Sequence, residues 1–208
     1  MTAVKPSYHH GDLRNALVAA AVQLIESAGV DEFSLRAAAR DVGVSPNAAY
    51  RHFHDKSALL NAVAQHGFER LASRMRRAMA ASRSSGAPSD AAIARFKATG
   101  RAYVEFALAN PELFDVMFGR SGVANLERAA DDPTSPYELL AGALDELVSR
   151  GVLHTDRRAG AELKAWATVH GFACLYLDGA AHLPSASGRA GALESLLDFA
   201  VTGICGPA

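Results

Sequence analysis

The chain has 208 residues, half of them hydrophobic, 7% aromatic and 21% charged, with a formal net charge of -1. That length holds one sizeable core or two small ones, and its two cysteines, Cys174 and Cys205, are too few for a disulfide scaffold and form no metal-ligand pair. No apolar run approaches the roughly 18 residues of a membrane span and the first residues lack the apolar centre of a signal peptide, so a soluble, cytoplasmic protein without metal or cofactor is expected.

The charge is unevenly spread. Residues 1–83 hold 11 Lys/Arg and 7 Asp/Glu, a net of +4, and residues 84–208 hold 10 and 15, a net of -5. A basic N-terminal part beside an acidic remainder suits one module that meets phosphate and another that does not.

In chain order, residues 1–11 read as a polar arm with Lys5, Tyr8, His9 and His10. Asp12 is placed to cap a first helix, in which Leu13, Leu17, Ala20, Ala21, Leu24, Ile25 and Ala28 recur at helical spacing until Gly29. Ser34 caps a second helix, Leu35 to Val42. Gly43 turns the chain, and Ser45 with Pro46 opens a third, short helix that is expected to end near His52 or Phe53. Asp55 caps a longer fourth helix through Leu59, Leu60, Val63, Phe68, Leu71 and Met75. Residues 81–90 are small and polar, with Gly86 and Pro88, and read as a loop.

Beyond that loop, helices are expected from Ala91 to Ala109, from Pro111 to Phe118, from Pro136 (after Ser135) to Arg150, from about Arg158 to Asp178, and from Arg189 to Thr202. Residues 119–133 are ambiguous, and His182 to Gly188 reads as a loop. No segment alternates with period two and no repeat appears. The expected fold class is all-α, with about nine helices. An arm and helix-turn-helix domain would occupy residues 1–56, a connecting helix 57–80, and a helical effector-binding and dimerisation domain 81–208.

The stretch from Asp41 to Lys56 is the most informative. Two short helices joined by a glycine turn, the second opening on a capping serine and a proline, are how a helix-turn-helix is written, and that motif puts its second helix in the DNA major groove. The N–H groups at that helix start, presented with Ser45, Pro46 and Asn47, favour a phosphate or base acceptor. Asn47 has the chemistry to read an adenine edge and Arg36 a guanine. Tyr50, one turn later, reaches a phosphate or a thymine methyl. Lys56 stands at a helix start, where its charge gains nothing from the dipole, and this favours a phosphate partner over a local role. Phe53 should enter the small three-helix core.

Residues 12–75 resemble the N-terminal domain of the TetR family of transcriptional regulators. The likeness rests on Ser34-Leu35-Arg36, on Gly43-Val44-Ser45 and above all on Tyr50-x-His52-Phe53-x-Asp55-Lys56 followed by Leu59 and Leu60. It implies phosphate contacts at His52 and Lys56. Ala48 and Ala49 depart from the family pattern of a hydroxyl or glycine followed by a larger aliphatic, which leaves fewer side chains for base readout. Tyr8, His9 and His10 fit either a basic arm on the backbone or minor groove or an unstructured arm.

The remainder is similar to a subgroup of that family whose C-terminal domain carries a Trp-His-Gly (WHG) signature, here Trp166, His170 and Gly171; Asn110-Pro111-Glu112-Leu113-Phe114 and Met117-Phe118-Gly119 also match. Two apolar stripes are expected at a dimer interface, Leu163, Ala167, Gly171, Cys174 and Leu175 on one helix and Leu193, Leu196, Leu197, Ala200 and Ile204 on the last; the alternative for both is protomer core. Two such helices from each subunit would make a four-helix bundle. Phe68, Leu71, Met75, Tyr103, Phe106, Phe114, Met117, Phe118, Leu140, Leu144 and His170 are candidates for an apolar pocket, Tyr103 and His170 being the polar groups that would orient a ligand.

The resulting expectation is a ligand-responsive repressor that binds a palindromic operator as a homodimer and is released by a small, apolar effector. The rivals are an all-α enzyme and a helical interaction protein without DNA binding. Against the first, no His-Glu-x-x-His, no glycine-rich phosphate loop and no carboxylate–histidine repeat occurs. Against the second, Tyr50 and Lys56 are both present.

Overall fold

The computed structural model describes residues 10–84, 86–118, 134–181 and 186–206. Among them are nine α-helices, one short 3-10 helix and no strand, as the all-α reading expects. The helices are α1 (His10–Glu32), α2 (Leu35–Val42), α3 (Pro46–Tyr50), α4 (Lys56–Ala81), α5 (Pro88–Ala109), α6 (Pro111–Phe118), α7 (Pro136–Ser149), α8 (Ala161–Leu177) and α9 (Ala186–Cys205). Lys5, Tyr8, His9, the side chain of Asp12, Gly119 and the ambiguous 119–133 stretch lie outside the described residues.

Four helix starts follow the expected chemistry, whereas α1 begins at His10, ahead of its expected cap Asp12. Ser34 accepts the Ala37 N–H at 3.1 Å, Ser45 that of Ala48 at 3.3 Å, Asp55 that of Ala58 at 2.7 Å and Ser135 that of Glu138 at 3.2 Å. Each satisfies an orphan donor and contributes about 1 kcal/mol. Departures come where no such signal exists. α1 continues past Gly29, whose φ of 81° interrupts the regular helix without ending it. α3 stops at Tyr50, two or three residues early, while His52 and Phe53 still donate to the Ala49 carbonyl. α5 starts at Pro88, inside the expected loop, because proline needs no N–H partner in a first turn. The 3-10 turn Thr155–Arg157 was not foreseen.

The described residues form two compact units, one from 10–67 with 110–118, the other from 68–109 with 134–206. The division runs through α4 after Gly67, and α6 lies in the N-terminal unit. In that unit α1 packs against α2 and α6, and α2 against α3. Leu17, Ile25, Leu59, Val63, Leu113 and Met117 are fully buried there, each such burial contributing roughly 1.5–3 kcal/mol. Gly67 makes the seat for α6: a Cβ at that position would lie 2.5 Å from the Met117 sulfur.

In the C-terminal unit α5 is the central helix, packed against α7, α8 and α9. One core gathers Phe96, Leu144, Leu147, Leu153, Ala165 and Ile204. A polar seam joins α5 to α9, with Lys97 Nζ 2.6 Å from Asp198 and Arg101 Nε 2.6 Å from Glu194. Arg158 fixes the start of α8 by donating to Asp145 and Glu162 at 2.7 and 2.6 Å.

Candidate nucleic-acid interface

The turn between α2 and α3 is set by Gly43. Its φ of 77° and ψ of 28° lie in the left-handed region, which glycine enters without penalty. The Gly43 N–H donates to Arg40 O at 3.1 Å and the Val44 N–H to Ala39 O at 2.9 Å. That pair of bonds is a Schellman ending, which closes α2 and redirects the chain at once into the Ser45 cap of α3.

This geometry presents one face of α3. Ala49 is fully buried against the unit's core, and Phe53 is 2% exposed, as expected for the residue that anchors the end of the motif. Ser45, Pro46 and Asn47 at the helix start are exposed, as is Arg36 on α2. Tyr50 projects outward with 43% of its surface exposed, which is unusual for so large a ring in a small core. His52 is half-buried. The Ala48 and Ala49 departures are accommodated: the smaller Ala49 fits with no exposed surface.

Lys56 differs from its expected setting. Its Nζ donates to the carbonyl oxygen of Val30 at 2.9 Å and sits 5.7 Å from the centroid of the Phe33 ring. The ammonium thus meets the end of α1, where a partial negative charge gathers, and has a local role that its place at the start of α4 did not suggest. Arg14 is a residue missed in the sequence. On α1, exposed, it lays its guanidinium over the Phe53 ring at 5.0 Å. Arg40 and Arg51 are also exposed, at the end of α2 and just past α3. Their signal was the basic balance of residues 1–83, which does not single out positions.

The second group of expected site residues divides between the units. Phe114, Met117 and Phe118 belong to the N-terminal unit, where the Phe114 and Phe118 rings lie 4.8 Å apart and Met117 is fully buried against Gly67. Leu140 and Leu144 belong to the α7 core with Phe96 and Leu147. Met75 and Phe106 are buried and Phe68 is half-buried. Tyr103 and His170 meet: the phenol oxygen is 2.8 Å from Nδ1, the Trp166 indole N–H donates to the same phenol oxygen at 3.1 Å, and His170 Nε2 is 3.5 Å from the Cys174 sulfur. Burial holds the His170 imidazole below its ordinary pKa and keeps the Tyr103 phenol well above its own. The Cys174 thiol is likewise raised by burial, with Asp178 adding to the effect. Among the described residues no cluster of three metal-ligating side chains occurs.

The dimer stripes are placed unequally. On α8, Leu163 and Leu175 are 67% and 55% exposed, Ala167 is exposed, Gly171 and Cys174 are half-buried, and a Cβ on Gly171 would meet open space. On α9, Leu193, Leu197, Ala200 and Ile204 are buried within the protomer, and Leu196 is half-buried. A Cβ on Gly100 of α5 would stand 2.6 Å from Leu197 Cδ2. The expected α9 stripe is thus mostly the inward face of that helix, and the outward apolar residue is Phe199, 69% exposed.

Comparison with known proteins places these features. Residues 17–63 match the family of bacterial regulatory proteins described as the tetR family, and residues 96–200, half of the chain, match the tetracyclin repressor-like C-terminal domain. No curated protein matches. Among solved structures, a protein of unknown function from Rhodococcus sp. RHA1 is 34% identical over 97% of this chain and 100% of that one, with a TM-score of 0.76. A tetR-family regulatory protein from Rhodococcus RHA1 shares the fold at 19% identity, covering 94% of this chain and 98% of that one, with a TM-score of 0.60. A substituted TetR from Acinetobacter baumannii AYE, in complex with minocycline, does so at 21% identity over 95% and 96%, with a TM-score of 0.62. With the first match lying on the capped α2–α3 turn and the second on the α5-centred unit, the chain belongs to the TetR family of transcriptional regulators, with a DNA-binding N-terminal domain.

Proposed function

We propose that the protein is a repressor that binds a palindromic operator as a homodimer and leaves it when a small, mainly apolar effector occupies the C-terminal unit. The observation that carries this reading is the capped α2–α3 turn with Tyr50 standing 43% exposed beside an exposed Asn47 and Arg36. Arg36 and Asn47 read base edges, and Ser45, Pro46, Tyr50 and His52 fix the register on phosphate and sugar. Lys56 is assigned to joining α4 to α1 through the Val30 carbonyl rather than to a phosphate.

A single short helix reads one half-site, so a second copy is required at a spacing of about 34–36 Å or a multiple of it. The interface we assign runs along Leu163, Ala167, Gly171 and Leu175 of α8 and Phe199 of α9. These leave apolar surface that a second copy would cover, and the family's regulators typically act as dimers. Leu193, Leu197 and Ala200 back this face from inside.

The effector would be oriented by the Trp166–Tyr103–His170 network, two of whose members, Trp166 and His170, make up with Gly171 the Trp-His-Gly subgroup signature that we assign to this chain. The indole can only donate, so we assign the Tyr103 proton to Nδ1 of His170 and the imidazole proton to Nε2, beside Cys174. A half-buried imidazole whose pKa is lowered by burial and a buried phenol give polar direction without a charge, which suits an uncharged or amphipathic ligand. The fold relative that holds minocycline is one case of a small molecule taken by this architecture. Effector and operator would be coupled by about 1–3 kcal/mol, where the chain passes between units within α4 and between α5 and α6.

The test is selection of duplexes from a random-sequence pool, followed by footprinting. A two-fold symmetric site, whose binding weakens steeply with salt and is lost on combining Tyr50→Ala with Arg36→Ala, supports the reading. Recovery of no preferred duplex overturns it.

A further inference from the structure

We propose that Arg14 on α1 contacts the DNA backbone, as a phosphate clamp held in place by the ring of Phe53; this rests on the DNA-binding reading above. Three observations meet at this residue. Its guanidinium lies 5.0 Å from the Phe53 ring centroid while the side chain stays exposed. Phe53 is itself 2% exposed and follows directly on Tyr50, Arg51 and His52, so the guanidinium is seated at the C-terminal end of the recognition helix. Among the described residues Arg14 has no hydrogen-bond or ion-pair partner, whereas Lys56, the expected phosphate contact, donates to Val30.

A guanidinium held over an aromatic ring through cation–π attraction keeps its N–H donors available, and its planar fork can take two phosphate oxygens at once. The contact with the ring also favours this placement of the side chain before DNA arrives, which lowers the ordering cost of the contact. An exposed arginine without an ion-pair partner among the described residues, held over Phe53 at the end of the recognition helix, therefore contributes affinity without sequence preference.

The experiment measures binding of the duplex that the wild-type protein itself selects from a random pool, between about 50 and about 200 mM salt. Arg14→Leu, which keeps apolar cover on Phe53, is expected to weaken binding and to make the log–log salt slope shallower by about 0.9 for each copy bound, while Arg14→Lys keeps most of the slope. Wild-type affinity and slope in Arg14→Leu would overturn the proposal. So would weaker binding with an unchanged slope and a lowered melting temperature, because that pattern marks a purely structural role. Failure of the wild-type protein to select any duplex is a distinct result and sinks the DNA-binding reading itself.

Discussion

Lys56 Nζ and the carbonyl oxygen of Val30 stand 2.9 Å apart, joining the start of α4 to the end of α1 across 26 residues of sequence. With the Phe33 ring 5.7 Å away, the ammonium closes the base of the N-terminal unit. Lys56→Met should therefore cost about 1 kcal/mol of stability and lower the melting temperature while leaving the salt slope of DNA binding at its wild-type value. A slope shallower by about 0.9 for each copy would place Lys56 on a phosphate instead.

Gly67 and Met117 give a second prediction. The 2.5 Å approach of a Cβ to the Met117 sulfur leaves no room for alanine unless α6 or the methionine moves. Gly67→Ala should destabilise by about 1–3 kcal/mol, read in chemical denaturation. Adding Met117→Ala removes the clashing atoms, so the double variant should lose less than the two single losses added. Additive losses would mean that α6 does not press on α4 at this point.

What was legible in the chain was what neighbouring residues decide. Ser34, Ser45 and Asp55 cap helices that start within a residue or two, and Gly43 takes the left-handed turn that glycine permits, so the helix-turn-helix could be drawn from local signals, while its DNA-binding role rested on the resemblance carried by Tyr50, His52, Phe53 and Lys56. Periodicity showed that Leu193, Leu197 and Ala200 share a face but not what covers it; α5 does. Likewise Leu140 and Leu144 shared a stripe with no sign that it closes on Phe96. The attachment of α6 to the N-terminal unit and the Lys56–Val30 bond depend on residues far apart in sequence, which pattern does not relate. Tyr103 and His170 were singled out as polar residues in apolar surroundings, and their 2.8 Å meeting is the geometric content which that reasoning lacked.

His170 predicts a pH dependence. Burial lowers its pKa, so the folded protein binds a proton there less readily than the unfolded chain does. The stability linked to the neutral imidazole is then fully present above the ordinary histidine value of about 6.5 and is lost as pH falls below it. Melting temperature should fall between about pH 7.5 and about pH 5.5, and fall less in His170→Gln, whose side chain takes no proton in this range. Equal falls in the two proteins would show that His170 is not linked to folding.

Phe199 and Leu197 lie two positions apart on α9 and face opposite ways, with 69% and 2% of their surfaces exposed. If the outward face of α8 and α9 is the dimer interface, Phe199→Glu should shift the protein to monomer in sedimentation and weaken operator binding, because a charge would be buried without a partner. The protomer's helicity should not change. Leu197→Ala should do the reverse: it leaves a cavity against Gly100, costs about 2–5 kcal/mol of stability, and keeps the dimer at temperatures where the protomer stays folded. An unaltered dimer in Phe199→Glu would remove α9 from the interface and leave the Leu163–Leu175 stripe of α8 to account for association.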